Sequence, residues 1–465
     1  MNARLSTSLV ALAISTGWAL PAHASPANME AVLAEMQKMR AEMGQMSQRI
    51  TTLESELTQA RAVASQATAD AAAAAEAANK AVAVATDVKG NPPVKVAWKG
   101  GPQIEGEGGW SFKPRGRLEF QAGSINAPRS TGRPDGWGNE LRRGRLGVEG
   151  DIPGGFGYKF EVDFADNDVE ITDALFDYSH NGLTLTIGQH NNFQGLEELT
   201  SSRFISMNER AAFTDAFGFE RRVGLSAQYN KGPVLVQAGV FTDNIGSLSN
   251  KAWSADGRVV FMPKAGNAQV HLGGSVHYTK LKDPGTSVRY RQRPLLHFTS
   301  QRFIDTGSIP ADSEFGLGVE AAAIAGPFHV AAEGFWQKVN RSDMLANPTF
   351  FGGYAEIGAF LTKGDKRGYK KGTFDRVKPA NPVDEGGMGA VQVNLRYDYL
   401  DLNDAGIVGG KQNGIGASII WTPIDYLRFA LNYGRMKYSD AVHPAAGGDR
   451  NYSVDAFGLR ALFDF

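Results

Sequence analysis

"FGYKFEVDF", from Phe156 to Phe164, puts Phe156, Tyr158, Phe160, Val162 and Phe164 at alternate positions, with Lys159, Glu161 and Asp163 between them. Successive strand side chains point to opposite faces, so as a strand this segment has one oily and one charged face. In "WSFKPRGRLEFQ", Trp110, Phe112, Leu118 and Phe120 share one face while Lys113, Arg115, Arg117 and Glu119 share the other. The alternation recurs as far as "NYSVDAFGLRALFDF", where Phe457, Leu459, Ala461, Phe463 and Phe465 take every second place. Between Trp110 and Phe465 there are about sixteen such segments.

A soluble sandwich also alternates, but it hides its oily face, and it does not call for one aromatic-rich face on so many strands. Alternating strands of about ten residues in even number are the signature of an outer-membrane barrel. A barrel of that size is too wide to fill with side chains. Its oily face therefore meets lipid and its charged face a watery lumen. The sequence thus predicts an all-β protein, a 16-stranded antiparallel transmembrane β-barrel over residues 110–465. Phe465 is expected at the periplasmic rim.

Upstream, Arg4 and the apolar run "LVALAISTGWAL" precede a small-x-small site at Ala22 and Ala24, the order of a signal peptide spanning residues 1–24. The run falls short of the ~20 apolar residues a membrane helix needs. Residues 25–88 read as an N-terminal α-helical coiled coil on the periplasmic side. With a at Met29, Met36, Met43, Ile50 and Leu57, and d at Val32, Met39, Met46, Leu53 and Ala60, a parallel coil pairs Glu35 with Arg40, Arg49 with Glu54, and Glu56 with Arg61. From Ala62 the seam is mostly Ala, which favours helix but buries little area. Residues 89–109, rich in Gly and Pro, read as a linker.

A formal net charge of -1 excludes the strongly basic footprint of a nucleic-acid binder. The absence of cysteine excludes disulfides and thiolate sites, and the eight His are scattered without metal-ligand spacing. No cofactor is implied. Ser, His and Asp occur without any constellation for catalysis.

Short connections such as "IPGG", "SHNG", "NKGP", "PKAGN", "AGP" and "TPID" suit periplasmic turns. Two outer connections are long, 191–220 and 281–315. One periplasmic connection, 363–387, is also long, and up to Lys378 its seven Lys and Arg outnumber Asp365 and Asp375. "RRGRLGVEGDIPGGFGYKFEVDFAD", "FGFERRVGLSAQY", "LTKGDKRGYKKGTFDRVKP" and "NLRYDYLDLND" resemble the phosphate-selective porin O/P family. That resemblance implies a trimeric sixteen-stranded barrel of the Gram-negative outer membrane, with two outer loops and one periplasmic turn folded into the lumen. It further implies a passive channel in which Arg and Lys conduct phosphate or polyphosphate.

Carried over residue by residue, the basic wall candidates are Lys113, Arg115, Arg117, Arg143 and Arg145, inward by parity. The first long loop supplies Arg203, Arg210, Arg221 and Arg222. The second supplies Arg289, Arg291 and Arg293. The basic periplasmic connection supplies Lys366, Arg367, Lys370, Lys371 and Arg376. Arg offers phosphate paired planar donors, whereas Lys acts as a point charge. Glu197, Glu198, Glu209, Asp215 and Glu220 on the first loop, facing Glu161, Asp163, Asp173 and Asp177, depart from a purely basic lumen. Opposed acidic and basic walls also fit a weakly selective general-diffusion porin. A structural tether, using the coil for cell-wall contact, is the alternative from another class. An outer-membrane hydrolase would need a converging acid, base and nucleophile. Small anions, outer-membrane lipid and further copies of the chain are the partners expected.

Overall fold

The computed structural model describes residues 26–87, 94–98, 100–247, 252–281 and 286–465, with side chains of the helix described over residues 33–80. The signal segment lies outside the described residues. The chain divides into two compact units, Met1–Asn91 and Pro92–Phe465.

In the first unit a single helix, α1, runs Pro26–Asp87. It contains no Pro after its first residue and is rich in Ala, Glu, Gln and Met, all strong helix formers. Among the described residues its apolar stripe is uncovered: Met36, Met39, Met43, Met46, Ile50, Leu53 and Leu57 are each more than half exposed.

The second unit is the barrel. Its strands are β1 (Ser111–Asn126), β2 (Gly136–Ile152), β3 (Phe156–Asp163), β4 (Glu170–His180), β5 (Leu183–Asn191), β6 (Arg221–Lys231), β7 (Val234–Phe241) and β8 (Trp253–Phe261). They continue as β9 (Ala268–Lys280), β10 (Ile309–Ala325), β11 (Phe328–Arg341), β12 (Thr349–Phe360), β13 (Ala390–Asp404), β14 (Ile407–Ile424), β15 (Leu427–Ser439) and β16 (Tyr452–Asp464). Each pairs antiparallel with the next, and β16 returns to β1 from Asp455↔Asn126 to Asp464↔Arg117. Phe465 extends the seam, its N–H donating to the Gly116 carbonyl at 3.0 Å and its carbonyl accepting the Gly116 N–H at 3.2 Å. Its ring lies over Gly116, where a Cβ would come within 2.2 Å of it. Closure leaves no open edge among these sixteen strands, as a hydrocarbon surrounding requires.

The periodicity expected from sequence is the one the strands follow. Leu118, Leu146, Phe176, Ile187, Leu225, Val259, Val319 and Leu395 point outward and are more than half exposed, whereas Glu119, Gln121, Arg258 and Asn432 on the opposite parity are almost wholly buried inside. The short turns fall where the Gly- and Pro-containing motifs put them. The stretch expected to be a linker is more ordered than that: Lys95–Trp98 and Pro102–Glu105 form an antiparallel pair, and the latter pairs with the start of β1. Of the residues responsible, "PQIE" alternates apolar and polar like the strands that follow, whereas in "KVAW" only Lys95 is polar.

Part of the lumen is filled. Segment 192–220, which carries the short helices α2 (Leu196–Leu199) and α3 (Ala212–Ala216), joins Leu281 and residues 286–308 in an apolar cluster against β11, β12 and β15. Phe213 stacks 6.0 Å from Phe335 and 6.5 Å from Tyr354, and Phe303 stacks 5.3 Å from Tyr438. Burying an aromatic side chain of this kind contributes about 1.5–3 kcal/mol. The cluster holds both outer connections inside the barrel. The open, charged part of the lumen is left along β1 to β6.

Candidate functional site

Polar contacts fix the inward segments. The Glu333 carboxylate on β11 accepts the N–H groups of Leu196 at 2.9 Å and Glu197 at 2.6 Å, taking up donors that the first turn of α2 leaves free. The Asp398 carboxylate does the same for Ala212 at 2.9 Å. Arg396, buried under the Tyr354 ring, pairs with Glu197 of the loop at 2.8 Å and Glu356 of the wall at 2.7 Å. Arg210 binds its own loop, donating to the carbonyls of Glu197, Glu198 and Thr200, each at 3.0 Å.

The basic periplasmic connection also lies within the lumen. Arg367 is buried and donates to Ser206 Oγ and the Phe204 carbonyl of the first loop, both at 2.6 Å, with its guanidinium 4.4 Å from the Phe374 ring. The Phe374 N–H reaches Thr200 Oγ1 at 3.3 Å, Arg258 of β8 donates to the Gly372 carbonyl at 2.8 Å, and Tyr369 meets His271 of β9 at 2.7 Å. Arg376 closes the segment, bonding the Asp464 carboxylate and the Asp425 carbonyl.

Between these segments and the wall runs a line of three cavities. The middle one, about 370 Å³, is lined by Arg115, Arg117, Arg143, Arg145, Arg203, Arg210 and Arg221, all expected from the sequence, and by Lys159; these eight cations face the five carboxylates of Glu161, Glu170, Asp173, Glu198 and Glu220. On the periplasmic side a cavity of about 230 Å³ shares Arg115 and Arg203 with it and adds Lys113, Arg376 and Lys378 against Glu149 and Asp425. On the outer side a cavity of about 210 Å³ shares Glu198 and Arg210 and is balanced: Arg142, Arg210, Arg293 and Arg396 face Glu198, Glu209, Asp215 and Asp398. Among the lining side chains, cations outnumber carboxylates from the middle cavity inward.

Most wall cations are already paired. Arg143 meets Glu119 at 2.7 Å, Arg145 meets Asp163 at 2.7 Å and Glu161 at 3.1 Å, Arg221 meets Asp173 at 3.0 Å, Arg203 meets Asp464 at 2.6 Å, and Arg115 meets Glu149. Arg117 differs. It is buried and its Nη1 donates to Ser202 Oγ at 2.9 Å, and among the described residues its Nε has no partner and no carboxylate lies in ion-pair contact with it. A buried guanidinium with an unfilled donor, among Arg143, Arg145 and Arg203, is set to take an anion. Among the loop acids, burial raises Glu198 above the usual carboxylate range against the pull of Arg210. Burial would raise Glu209 too, but Arg142 and Arg460 hold it well below that range.

The remaining sequence candidates are placed elsewhere. Arg222 lies between Glu220 and Asp243 outside these cavities, at 3.5 and 3.6 Å. Arg289 is paired with Asp305 at 2.6 Å, and Arg291 is exposed on the same outer connection. Arg293 lines the outer cavity and binds Asp215 at 3.2 Å. Lys366, Lys370 and Lys371 are exposed and line none of the three cavities, and Arg367 is a strut between segments. Sequence parity missed Arg142: a bulge opposite Glu119 and Phe120 turns both Arg142 and Arg143 inward, and Arg142 pairs with Glu209 at 3.0 Å. Arg258, Arg396, Arg428 and Arg460 on the later strands were also passed over, although the inward row extended through them would have found each.

A closed sixteen-stranded barrel, oily outside and charged within, is an outer-membrane porin, a passive channel. The chain belongs to the family described as phosphate-selective porin O and P, which it matches over residues 112–465. A Caulobacter vibrioides protein described only as uncharacterised is 47% identical over 388 residues, covering 80% of this chain and 78% of that one. Porin O of Pseudomonas aeruginosa is 25% identical over 401 residues, covering 77% of this chain and 89% of its own. Among solved structures, OprB of Pseudomonas putida is 13% identical with a TM-score of 0.49, covering 77% of this chain and 95% of that one. The outer-membrane channel DcaP of Acinetobacter baumannii is 15% identical with a TM-score of 0.45, covering 78% and 99%. Family and fold point to a channel and away from an enzyme. Among the described residues no group of His, Asp and Glu gathers that could hold a metal ion.

Proposed function

We propose that this channel passes small anions of the phosphate class, drawn through the lumen by the arginines of the middle and periplasmic cavities. The observation that carries this is Arg117, which lines the middle cavity outside any ion pair among the described residues, where lining cations outnumber lining carboxylates eight to five. An anion leaving the balanced outer cavity meets Arg117, Arg115 and Arg203, then Lys113 and Arg376. Sites in series, each moderate, let an anion enter and still leave. Arg289, Arg291 and Arg293 gather anions at the outer mouth. Lys366, Lys370 and Lys371, exposed on the inward connection, add long-range attraction without a contact site. Single-channel chloride conductance with phosphate titrated in tests the proposal: phosphate held at the arginines lowers the chloride current at millimolar concentration. A current indifferent to phosphate favours a general-diffusion porin, for which the balanced outer cavity speaks.

We further propose that the mature chain begins at Ser25 and that the channel is a homotrimer whose α1 helices pair as a parallel coil. The uncovered stripe from Met36 to Leu57 supports this, together with complementary charges at Glu35 and Arg40, Arg49 and Glu54, and Glu56 and Arg61. Cell-wall contact would belong to that coil. If segment 25–67 gains no helicity when three copies are tethered on a trimeric scaffold, the coil is excluded.

A further inference from the structure

The pair of short strands ahead of β1 has two unlike faces. Lys95 stands opposite Glu105, Val96 opposite Ile104, Ala97 opposite Gln103 and Trp98 opposite Pro102; Ile104 in turn stands opposite Phe112 and Glu105 opposite Ser111. Directly opposed residues of an antiparallel pair share a face. One face is therefore Val96, Trp98, Pro102, Ile104 and Phe112, and the other carries Lys95, Gln103, Glu105 and Ser111. The polar face meets the lumen mouth, where Gln103 lines the 230 Å³ cavity beside Lys113. The apolar face is open: Val96 is 68% and Trp98 75% exposed. Gly100 and Gly101 are seated against the barrel. A Cβ on Gly101 would lie 2.7 Å from the Phe465 ring, and Gly100, at φ +78°, would put one 2.6 Å from the Tyr426 ring.

We propose that this hairpin is a membrane foot whose apolar face rests in the headgroup boundary of the periplasm-facing leaflet of the outer membrane, with Trp98 as its anchor. Continuity with the barrel's lipid face is the first argument. Phe112 has the parity of Leu118 and Phe120, so the row Val96, Ile104, Phe112 prolongs the lipid-facing surface of β1 without a break. Depth follows from the backbone. Among the described residues Lys95–Trp98 pairs only with Pro102–Glu105, so one edge of it keeps unpaired N–H and C=O groups. In hydrocarbon those groups would be unsatisfied, whereas at headgroup level water reaches them. Tryptophan is the residue enriched at that level, its ring apolar and its N–H able to bond.

Because the chain has no cysteine, single cysteines can be labelled cleanly in the full-length protein. Val96→Cys and Trp98→Cys on the apolar face, Lys95→Cys and Gln103→Cys on the polar face, and Phe112→Cys as a control would each carry an environment-sensitive fluorophore. The protein is reconstituted in phosphatidylethanolamine and phosphatidylglycerol vesicles. A headgroup-level nitroxide lipid should quench most of the emission at positions 96 and 98, as at 112, while positions 95 and 103 respond to a water-soluble quencher. Equal aqueous quenching at 96, 98, 95 and 103 would mean that the apolar face stands in the periplasm, and would overturn the proposal. So would protection of 96 and 98 from both quenchers, with disulfide cross-linking between copies, because a second copy would then cover the face.

Discussion

Removing the charge of Arg117 while keeping a polar side chain, as Arg117→Gln does, probes the pathway at its least compensated point. An anion about 5 Å from the guanidinium is attracted by about 0.8 kcal/mol at the dielectric constant of water and by about 3 kcal/mol at an effective value near 20. The cavity is open to water but walled by protein, which puts the working figure near 1 kcal/mol, about a fivefold loss of anion occupancy. The loss is largest in dilute salt. At about 1 M the screening length shrinks to about 3 Å and the variant should approach the parent. The assay is the anion-to-cation permeability ratio in planar bilayers at both ionic strengths, with Arg222→Gln, outside the cavities, as the matched charge removal. An unchanged ratio for Arg117→Gln in dilute salt, or an equal fall for Arg222→Gln, would refute the local argument.

Three further outcomes follow from the same contacts. Arg396→Gln leaves Glu197 and Glu356 buried without their shared cation, so it should destabilise the folded barrel by about 3–5 kcal/mol and free the first loop, read as a lower unfolding midpoint and noisier single-channel current. Glu198 is neutralised above the usual carboxylate range, so as pH falls from neutral the middle cavity loses a negative charge and anion preference should rise before ordinary carboxylates titrate; the same raised pKa makes this residue's contribution to stability grow as pH falls through that range. In Glu198→Gln that early rise in the bilayer selectivity profile should be smaller, the remainder coming from Glu220, whose carboxyl burial also raises. Gly116→Ala places a methyl where the Phe465 ring lies and should cost about 1–3 kcal/mol, seen as slower or incomplete barrel closure in a heat-modifiability gel assay.

The barrel was legible because a lipid-facing strand can hide nothing: every second residue must be apolar, and a closing strand must repeat the pattern, as Phe457 to Phe463 do. The wall arginines Arg115, Arg117, Arg143 and Arg145 were legible for the same reason, since parity alone assigns a face. Parity failed at Arg142, where one extra residue in β2 shifts the count and no local signal marks the bulge. The inward fold of the basic connection could be expected from its unusual length and charge, but its contacts could not. Arg367 reaches Ser206 across 161 positions of sequence, and only the closed barrel brings them together. The apolar packing of Phe213 on Phe335 and Tyr354 was likewise hidden, because the loop's five acids dominated its composition while its aromatic residues held it in place.

The most direct test of an anion pathway is the zero-current potential of the unmodified protein in a planar bilayer across a tenfold KCl gradient at low ionic strength. Excess positive charge from Arg117 to Arg376 predicts a potential of the sign set by chloride, shrinking as both baths are made more concentrated. A potential at zero or of the potassium sign would contradict the account, whatever the conductance.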